Sequence, residues 1–304
     1  MRKAWSLTKR VRGLEEWAER NNSVVAGFVE ESERLAITYT GLGIVPARIF
    51  SSYLYVLSPN KNIISGCIDT VTYHIAPYTE DTRVILFAEK GVENSVIRLV
   101  DTVYYTGNKL LIISPPPAEY IRKRLKNTIL IEAPGEDTIL AETLLAVRAG
   151  YSVALKYKGR EDRELRFNRL RIEVADFSSI IDELKTIYSI ELDTIKTSIE
   201  HIDLITYTPT MEPVAHRLQA LIASKTGNPP PIVDITRALR LLEDLKIKTM
   251  LLFSTSVEEY SVRELLFRSR AKRIEVIELK IKTDPLTAPV YGLLLVEILK
   301  ANNI

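Results

Sequence analysis

The sequence is poor in the side chains that most often carry chemistry. One cysteine, Cys67, stands among 304 residues, so no disulfide can close within the chain. The three histidines, His74, His201 and His216, are scattered; with a single thiol they give no zinc-ligand spacing, and neither a metal nor a cofactor is expected. Charge of one sign is lacking too, since 41 Lys and Arg face 39 Asp and Glu for a formal net charge of +2. The basic residues alternate with glutamates instead of pooling, so the electrostatic footprint of a nucleic-acid binder is missing. Met1-Arg2-Lys3-Ala4-Trp5-Ser6 has no apolar stretch of signal-peptide length behind it, and no later run reaches bilayer-spanning length. A cytoplasmic protein with no membrane and no nucleic-acid partner is expected. Glutamine occurs once, at Gln219, beside abundant Ile, Lys, Arg and Glu, a bias expected of a protein from a hot environment.

What is present is ordinary globular material. Hydrophobic residues make up 46%, which with this length is enough for two domain cores. Cys67 follows the apolar Asn62-Ile63-Ile64-Ser65-Gly66 segment and is expected as a small core residue at the end of a strand.

The chain repeats itself once. Leu35-Ala36-Ile37-Thr38-Tyr39-Thr40 leads through a turn to Pro46-Ala47-Arg48-Ile49; Leu204-Ile205-Thr206-Tyr207-Thr208 leads through a turn to Pro213-Val214-Ala215-His216-Arg217-Leu218. A second pair keeps nearly the same separation: Ile85-Leu86-Phe87 before Ser95-Val96, and Leu251-Leu252-Phe253 before Ser261-Val262. Two pairs in the same order read as two copies of one fold.

Each copy has the grammar of a parallel α/β sheet. The first sets apolar, β-branched runs at 34–39, 84–87, 109–113 and 128–132 against helical stretches at 46–56, 92–105 and 138–158. The second repeats this with strands at 203–207, 231–234, 249–253 and 274–279. Continuous apolar runs are those of strands covered on both faces, as in doubly wound folds. Gly159, inside the charged Lys158 to Glu164 segment, is expected to end the first copy. A single helix from Phe177 to Ile199 is expected to bridge to the second.

In an open parallel sheet, ligands collect outside the carboxyl ends of the strands, where helix N-termini offer N–H groups to an anion. The first copy places Thr40-Gly41-Leu42-Gly43 and Ala88-Glu89-Lys90-Gly91-Val92-Glu93 there. Gly41 and Gly43 either let the backbone approach a ligand or form a tight turn. No third glycine follows Gly43, so this is not the dinucleotide fingerprint.

At these residues the chain resembles the sugar isomerase (SIS) family, in particular the archaeal bifunctional phosphoglucose/phosphomannose isomerases. The resemblance runs along most of the chain: strand then Gly-x-Gly, strand then a glycine-containing loop, strand then Pro134, a long helix, and a terminal helix from Val290 to Ala301 after Asp284-Pro285-Leu286. It implies an α/β chain of two SIS-type doubly wound parallel sheets. Residues 1–165 are the N-terminal SIS domain with a helical arm at 1–30, residues 166–200 the linking helix, and residues 201–304 the C-terminal SIS domain. A homodimer is implied, and the apolar Leu293-Leu294-Leu295-Val296 face supports it. So is a sugar phosphate or related carbohydrate derivative as ligand, bound near Gly41, Gly43, Lys90, Gly91, Ser254 and Ser256.

The chain departs from the family where the chemistry sits. Val45 falls near a ligand-binding serine, and of the Ser-x-Ser-Gly-Asn-Thr type loop only Gly91 is kept. The proton-transferring glutamate falls on Leu221, no histidine follows His216, and the chain ends at Asn302-Asn303-Ile304 where relatives continue to a lysine. Pro134-Gly135-Glu136-Asp137 puts acid where an anion should sit.

Two alternatives to plain structure remain. Glu212 and His216, at the start of the second-copy helix, are either a displaced acid–base pair or a dipole-complementing helix start. Ser254-Thr255-Ser256 either holds a small anion or caps the helix at Val257-Glu258-Glu259. Pro115-Pro116-Pro117 and Pro229-Pro230-Pro231 read as stiff surface connectors. The reading is an isomerase-family protein, an aldose–ketose isomerase of hexose 6-phosphates if active. Its alternative is a non-catalytic SIS protein that senses a sugar derivative or assembles with a partner.

Overall fold

A computed structural model describes residues 6–58, 61–135, 137–156, 164–244 and 246–302. Glu136, Gly159 with its neighbours from Lys158 to Arg163, Met1 to Trp5 and the final Asn303-Ile304 lie outside the described residues. Arg10–Asp176 forms one compact unit, and Met1–Lys9 with Phe177–Ile304 the other.

In the first unit, α1 (Leu7–Glu30, in this unit from Arg10 on) leads into β1 (Arg34–Tyr39), α2 (Ile44–Leu57), β2 (Asn62–Cys67) and a short α3 (Ile68–Thr70) continued by a π turn. There follow β3 (Thr82–Phe87), α4 (Glu93–Tyr105), β4 (Lys109–Ser114), α5 (Glu119–Arg122), β5 (Thr128–Glu132), α6 (Thr138–Lys156) and α7 (Glu164–Ala175). All five strands are parallel, in the order β2-β1-β3-β4-β5. Every residue of β3 is buried, as a central strand covered on both faces requires. On one face α2 and α6 approach so closely that a Cβ on Gly150 would lie 2.7 Å from the Tyr53 Cβ.

The second unit runs α8 (Ile181–Ile187), α9 (Ser189–Ser198), β6 (Leu204–Tyr207), α10 (Glu212–Thr226), β7 (Ile232–Asp234) and α11 (Ile235–Asp244). It closes with β8 (Thr249–Thr255), α12 (Glu259–Ala271), β9 (Glu275–Ile281) and α13 (Ala288–Ala301). Its four parallel strands lie in the order β7-β6-β8-β9.

The sequence repeats are the central strand pairs of the two sheets, in the same register. Tyr39 pairs with Phe87 in the first and Tyr207 with Phe253 in the second. In both sheets the chain reverses its direction of winding between these strands, at the point where such folds open a crevice at the carboxyl edge.

Four expectations need correction. The span from Phe177 to Ile199 is two helices, broken at Tyr188, whose backbone leaves the helical region (φ −104°, ψ 19°); the Tyr188 side chain is buried and its hydroxyl accepts the Lys282 N–H at 3.3 Å. Cys67 ends β2 as expected but is exposed, because β2 is an edge strand. Leu293 to Val296 are all buried within the chain, so they present no face to a second copy. Against the expectation that no run reaches bilayer-spanning length, one helix among the described residues, α6, is long and apolar enough by length and composition, and 78% of that stretch is buried inside the protein.

Candidate functional site

At the carboxyl edge of the first sheet, Thr40 leaves β1 with its N–H donating to the Phe87 carbonyl at 3.1 Å. Gly41–Gly43 then make one 3₁₀ turn into α2. Gly41 lies in the left-handed region (φ +49°), and a Cβ there would sit 1.8 Å from Glu89 Oε2. A Cβ on Gly43 would sit 2.2 Å from the Phe87 carbonyl oxygen. Both glycines are therefore needed for close approach, and the group that approaches Gly41 is a carboxylate of the chain itself. The Leu42 N–H donates to Glu89 Oε2 at 2.8 Å, and the Glu89 N–H donates to Thr40 Oγ1 at 2.9 Å.

The second sheet repeats the arrangement with different residues. The Thr208 N–H donates to the Phe253 carbonyl at 3.0 Å. The Thr210 N–H, two residues after Thr208 as Leu42 is after Thr40, donates to Glu258 Oε1 at 3.1 Å. The Thr208 hydroxyl donates to Glu258 Oε2, and the Thr255 hydroxyl to the same oxygen at 2.7 Å. Helix-start N–H groups of this kind suit a phosphate. In both copies a glutamate already holds one of them.

The hydroxyls offered for an anion in the second copy are also engaged or turned out. Ser254 is fully buried and donates to Glu278 Oε1 at 2.6 Å, while Ser256 is exposed at the start of the turn before α12. In the first copy Lys90 is exposed, and Gly91 is required by its conformation (φ +92°) with open space around it. Gly41, Gly43, Lys90 and Gly91 belong to the first unit; Glu212, His216, Ser254 and Ser256 belong to the second. Glu212 opens α10 and lies one turn from His216, with Oε1 to Nε2 at 3.9 Å. The His216 ring tilts against Tyr207, centroids 6.5 Å apart. Leu221, on the same helix, is buried in the core.

Two features escaped the sequence reading. Glu142 on α6 is fully buried, and neither carboxylate oxygen has a hydrogen-bond partner. Burial pushes its carboxyl well above the usual range, and the Glu89 charge pushes it further, because an unpaired charge is costly in a low-dielectric interior. Glu297 on α13 shows the opposite solution: equally buried, it accepts from Arg217 Nε at 3.0 Å and Nη2 at 2.5 Å. The second feature is a cavity of about 230 Å³ between the loops after β3 and β4, walled by Pro115, Pro116 and Pro117. Among the described residues no three His, Cys, Asp or Glu side chains gather as metal ligands.

No protein-family model matches the chain, and no curated protein matches it by sequence. Solved structures match it by shape. The C-terminal domain of glucosamine-fructose-6-phosphate aminotransferase from Francisella tularensis has a TM-score of 0.71 at 10% identity, covering 99% of this chain and 96% of that one. Tagatose-6-phosphate ketose/aldose isomerase from Escherichia coli has a TM-score of 0.64 at 13% identity, covering 97% and 91%. Glucosamine-6-phosphate deaminase from Thermotoga maritima has a TM-score of 0.62 at 11% identity, covering 96% and 95%. This likeness is one of fold: two parallel α/β sheets in one chain, consistent with the duplicated SIS-type fold that the sequence leads one to expect.

Proposed function

We propose that the protein is a non-catalytic member of this architecture, a cytoplasmic sensor of a carbohydrate derivative or an assembly partner, and that it does not isomerise hexose 6-phosphates. One observation carries the reading: Glu89 and Glu258 hold, in both copies, a helix-start N–H that an anionic ligand would use. A phosphate brought there meets a carboxylate, and at a few ångströms two like charges repel by several kcal/mol even at an effective dielectric constant near 20. The names of the solved structures with this fold support a carbohydrate derivative as the ligand class.

The second reading, isomerisation as in phosphoglucose/phosphomannose isomerases, rests on Glu212 and His216, which are one helical turn apart at the sheet's carboxyl edge. A positioned base contributes about a hundred- to ten-thousand-fold in rate. Buried Leu221 cannot serve as one. A coupled assay with glucose, fructose and mannose 6-phosphates, run warm, decides between them. No turnover is expected; turnover at about one per second or faster, abolished by Glu212→Gln or His216→Ala, would establish the isomerase instead.

A further inference from the structure

The cavity between the loops after β3 and β4 has a composition unlike that of an anion site. Its floor is aliphatic, with Val96, Ile112, Leu125 and Leu130. On the β4 side its wall is Ser114, three consecutive prolines and Ala118. Proline has no N–H, so the three wall residues Pro115 to Pro117 offer carbonyl oxygens and no backbone donor. The remaining hydroxyl there, Ser114, already donates to the Pro115 carbonyl at 2.9 Å. On the β3 side the Glu89 N–H is taken by Thr40 and the Ala88 N–H by the Ile113 carbonyl at 2.9 Å.

What the rim does offer is negative charge. Glu89 and Glu93 both line the cavity, against one ammonium, that of the exposed Lys90. Glu89 is held over Gly41 by its bond to the Leu42 N–H, so its charge is fixed on the β1 side of the loop that lines the cavity, and Glu93 is the carboxylate on the α4 side. Glu93 opens α4 and so offsets the positive end of that helix. An apolar lining, three prolines without an N–H and two glutamates against one lysine together favour one kind of guest.

We infer that this cavity binds a small organic cation, an ammonium group on an apolar body, with the body on the aliphatic lining and the ammonium at Glu93, in the field of the Glu89 charge. The inference rests on the reading that Glu89 has replaced an anionic ligand, and it names the chemical class that the altered site would take. Pro115-Pro116-Pro117 then acts as a preorganised wall: the rings are rigid before the guest arrives, so little ordering is needed on binding.

Titration calorimetry on the whole chain tests it with three probes of one size and shape: n-hexylammonium, 1-hexanol and hexanoate. Hexylammonium is expected to bind about fivefold or more tighter than hexanol, the range of one rim ion pair, and hexanoate not measurably. Glu93→Gln is expected to cut the hexylammonium preference while leaving hexanol binding unchanged. Leu125→Trp, which fills the floor from a half-buried position, is expected to abolish binding of both. Equal binding of the three probes, binding of none, or a preference untouched by Glu93→Gln would overturn the inference. Inorganic phosphate titrated into the same protein separates the two proposals. Phosphate binding sinks the reading that Glu89 and Glu258 exclude anions, whereas failure of hexylammonium alone sinks only the cation site.

Discussion

Replacing Glu258 by alanine tests the self-occupied site where its bonds are most numerous. The carboxylate accepts from the Thr208 and Thr255 hydroxyls and from the Thr210 N–H. Hydrogen bonds to a charged group contribute about 1.5–3 kcal/mol each, but three sharing one acceptor do not add in full. Thr208 and Thr255 are both fully buried, so water does not replace the carboxylate, although the Thr208 hydroxyl also reaches the Phe253 carbonyl at 3.4 Å. The expected cost is about 3–5 kcal/mol, read by hydrogen exchange at the amides of β6 and β8, because a two-unit chain need not unfold in one step.

The vacated position should then behave as an anion site. Inorganic phosphate or sulfate is expected to restore protection to Glu258→Ala, by about 2.7 kcal/mol at a concentration a hundred times its dissociation constant, and to leave wild type unchanged. Glu258→Gln should lie between the two, since its amide oxygen still accepts from Thr210 while its NH₂ faces a hydroxyl. A cost below about 1 kcal/mol, or an alanine variant indifferent to phosphate, would refute the idea that the glutamate stands where an anion belongs.

Two further outcomes follow from the ionisable groups. The Glu142 carboxyl lies above its usual value of 4.5 because of burial and the Glu89 charge, so from about pH 4.5 upward the unfolded chain releases a proton that the folded one keeps. Stability therefore falls as pH rises toward the folded pKa, by at most about 1.4 kcal/mol per pH unit. Glu142→Gln is expected to remove that slope and to gain on wild type between about pH 5 and 8 in melting curves; parallel curves would show that Glu142 titrates normally. Cys67 is exposed, and the Thr70 hydroxyl, at 3.2 Å, is the largest of the contacts that draw its thiol pKa down. Thr70→Val is expected to slow iodoacetamide alkylation near neutral pH about two- to fivefold, and an unchanged rate would remove the contact's influence.

The sheets were legible because their central strands are buried on both faces and so read as continuous apolar runs. The Ile-Thr-Tyr-Thr repeat even marks the register, since Tyr39 and Tyr207 face Phe87 and Phe253 in the same pairing. The break at Tyr188 was not legible, because the apolar spacing of Ile181, Leu184 and Leu192 continues across it. In the sequence Glu89 is only one acid of the loop that leads to Gly91. Nothing local says that its side chain folds back over Gly41, although the Gly-x-Gly turn was a sign that something approaches. Glu142 was hidden for another reason: a lone acid on a long helix is ordinarily solvated, and only the packing of α6 against α2 buries it.

Glu89 follows Phe87 by two residues, whereas Glu258 follows Phe253 by five and sits in the turn before α12. At the separation that matches Phe87 to Phe253 they do not coincide, yet each carboxylate ends on the second residue after the repeated threonine. The common fold of the two sheets explains why the N–H groups coincide. It does not explain why non-equivalent glutamates reach them. The physical demand does: a helix-start N–H beside the end of a central strand needs an acceptor, and where no ligand supplies one, a carboxylate of the chain stabilises the fold. That demand operates whether or not a protein has a substrate, because function belongs to a site and not to the fold. It also fixes how the two copies differ. Glu258 receives three donors and is a structural member of its sheet, while Glu89 receives one side-chain-directed bond and remains half-exposed at the mouth of a cavity.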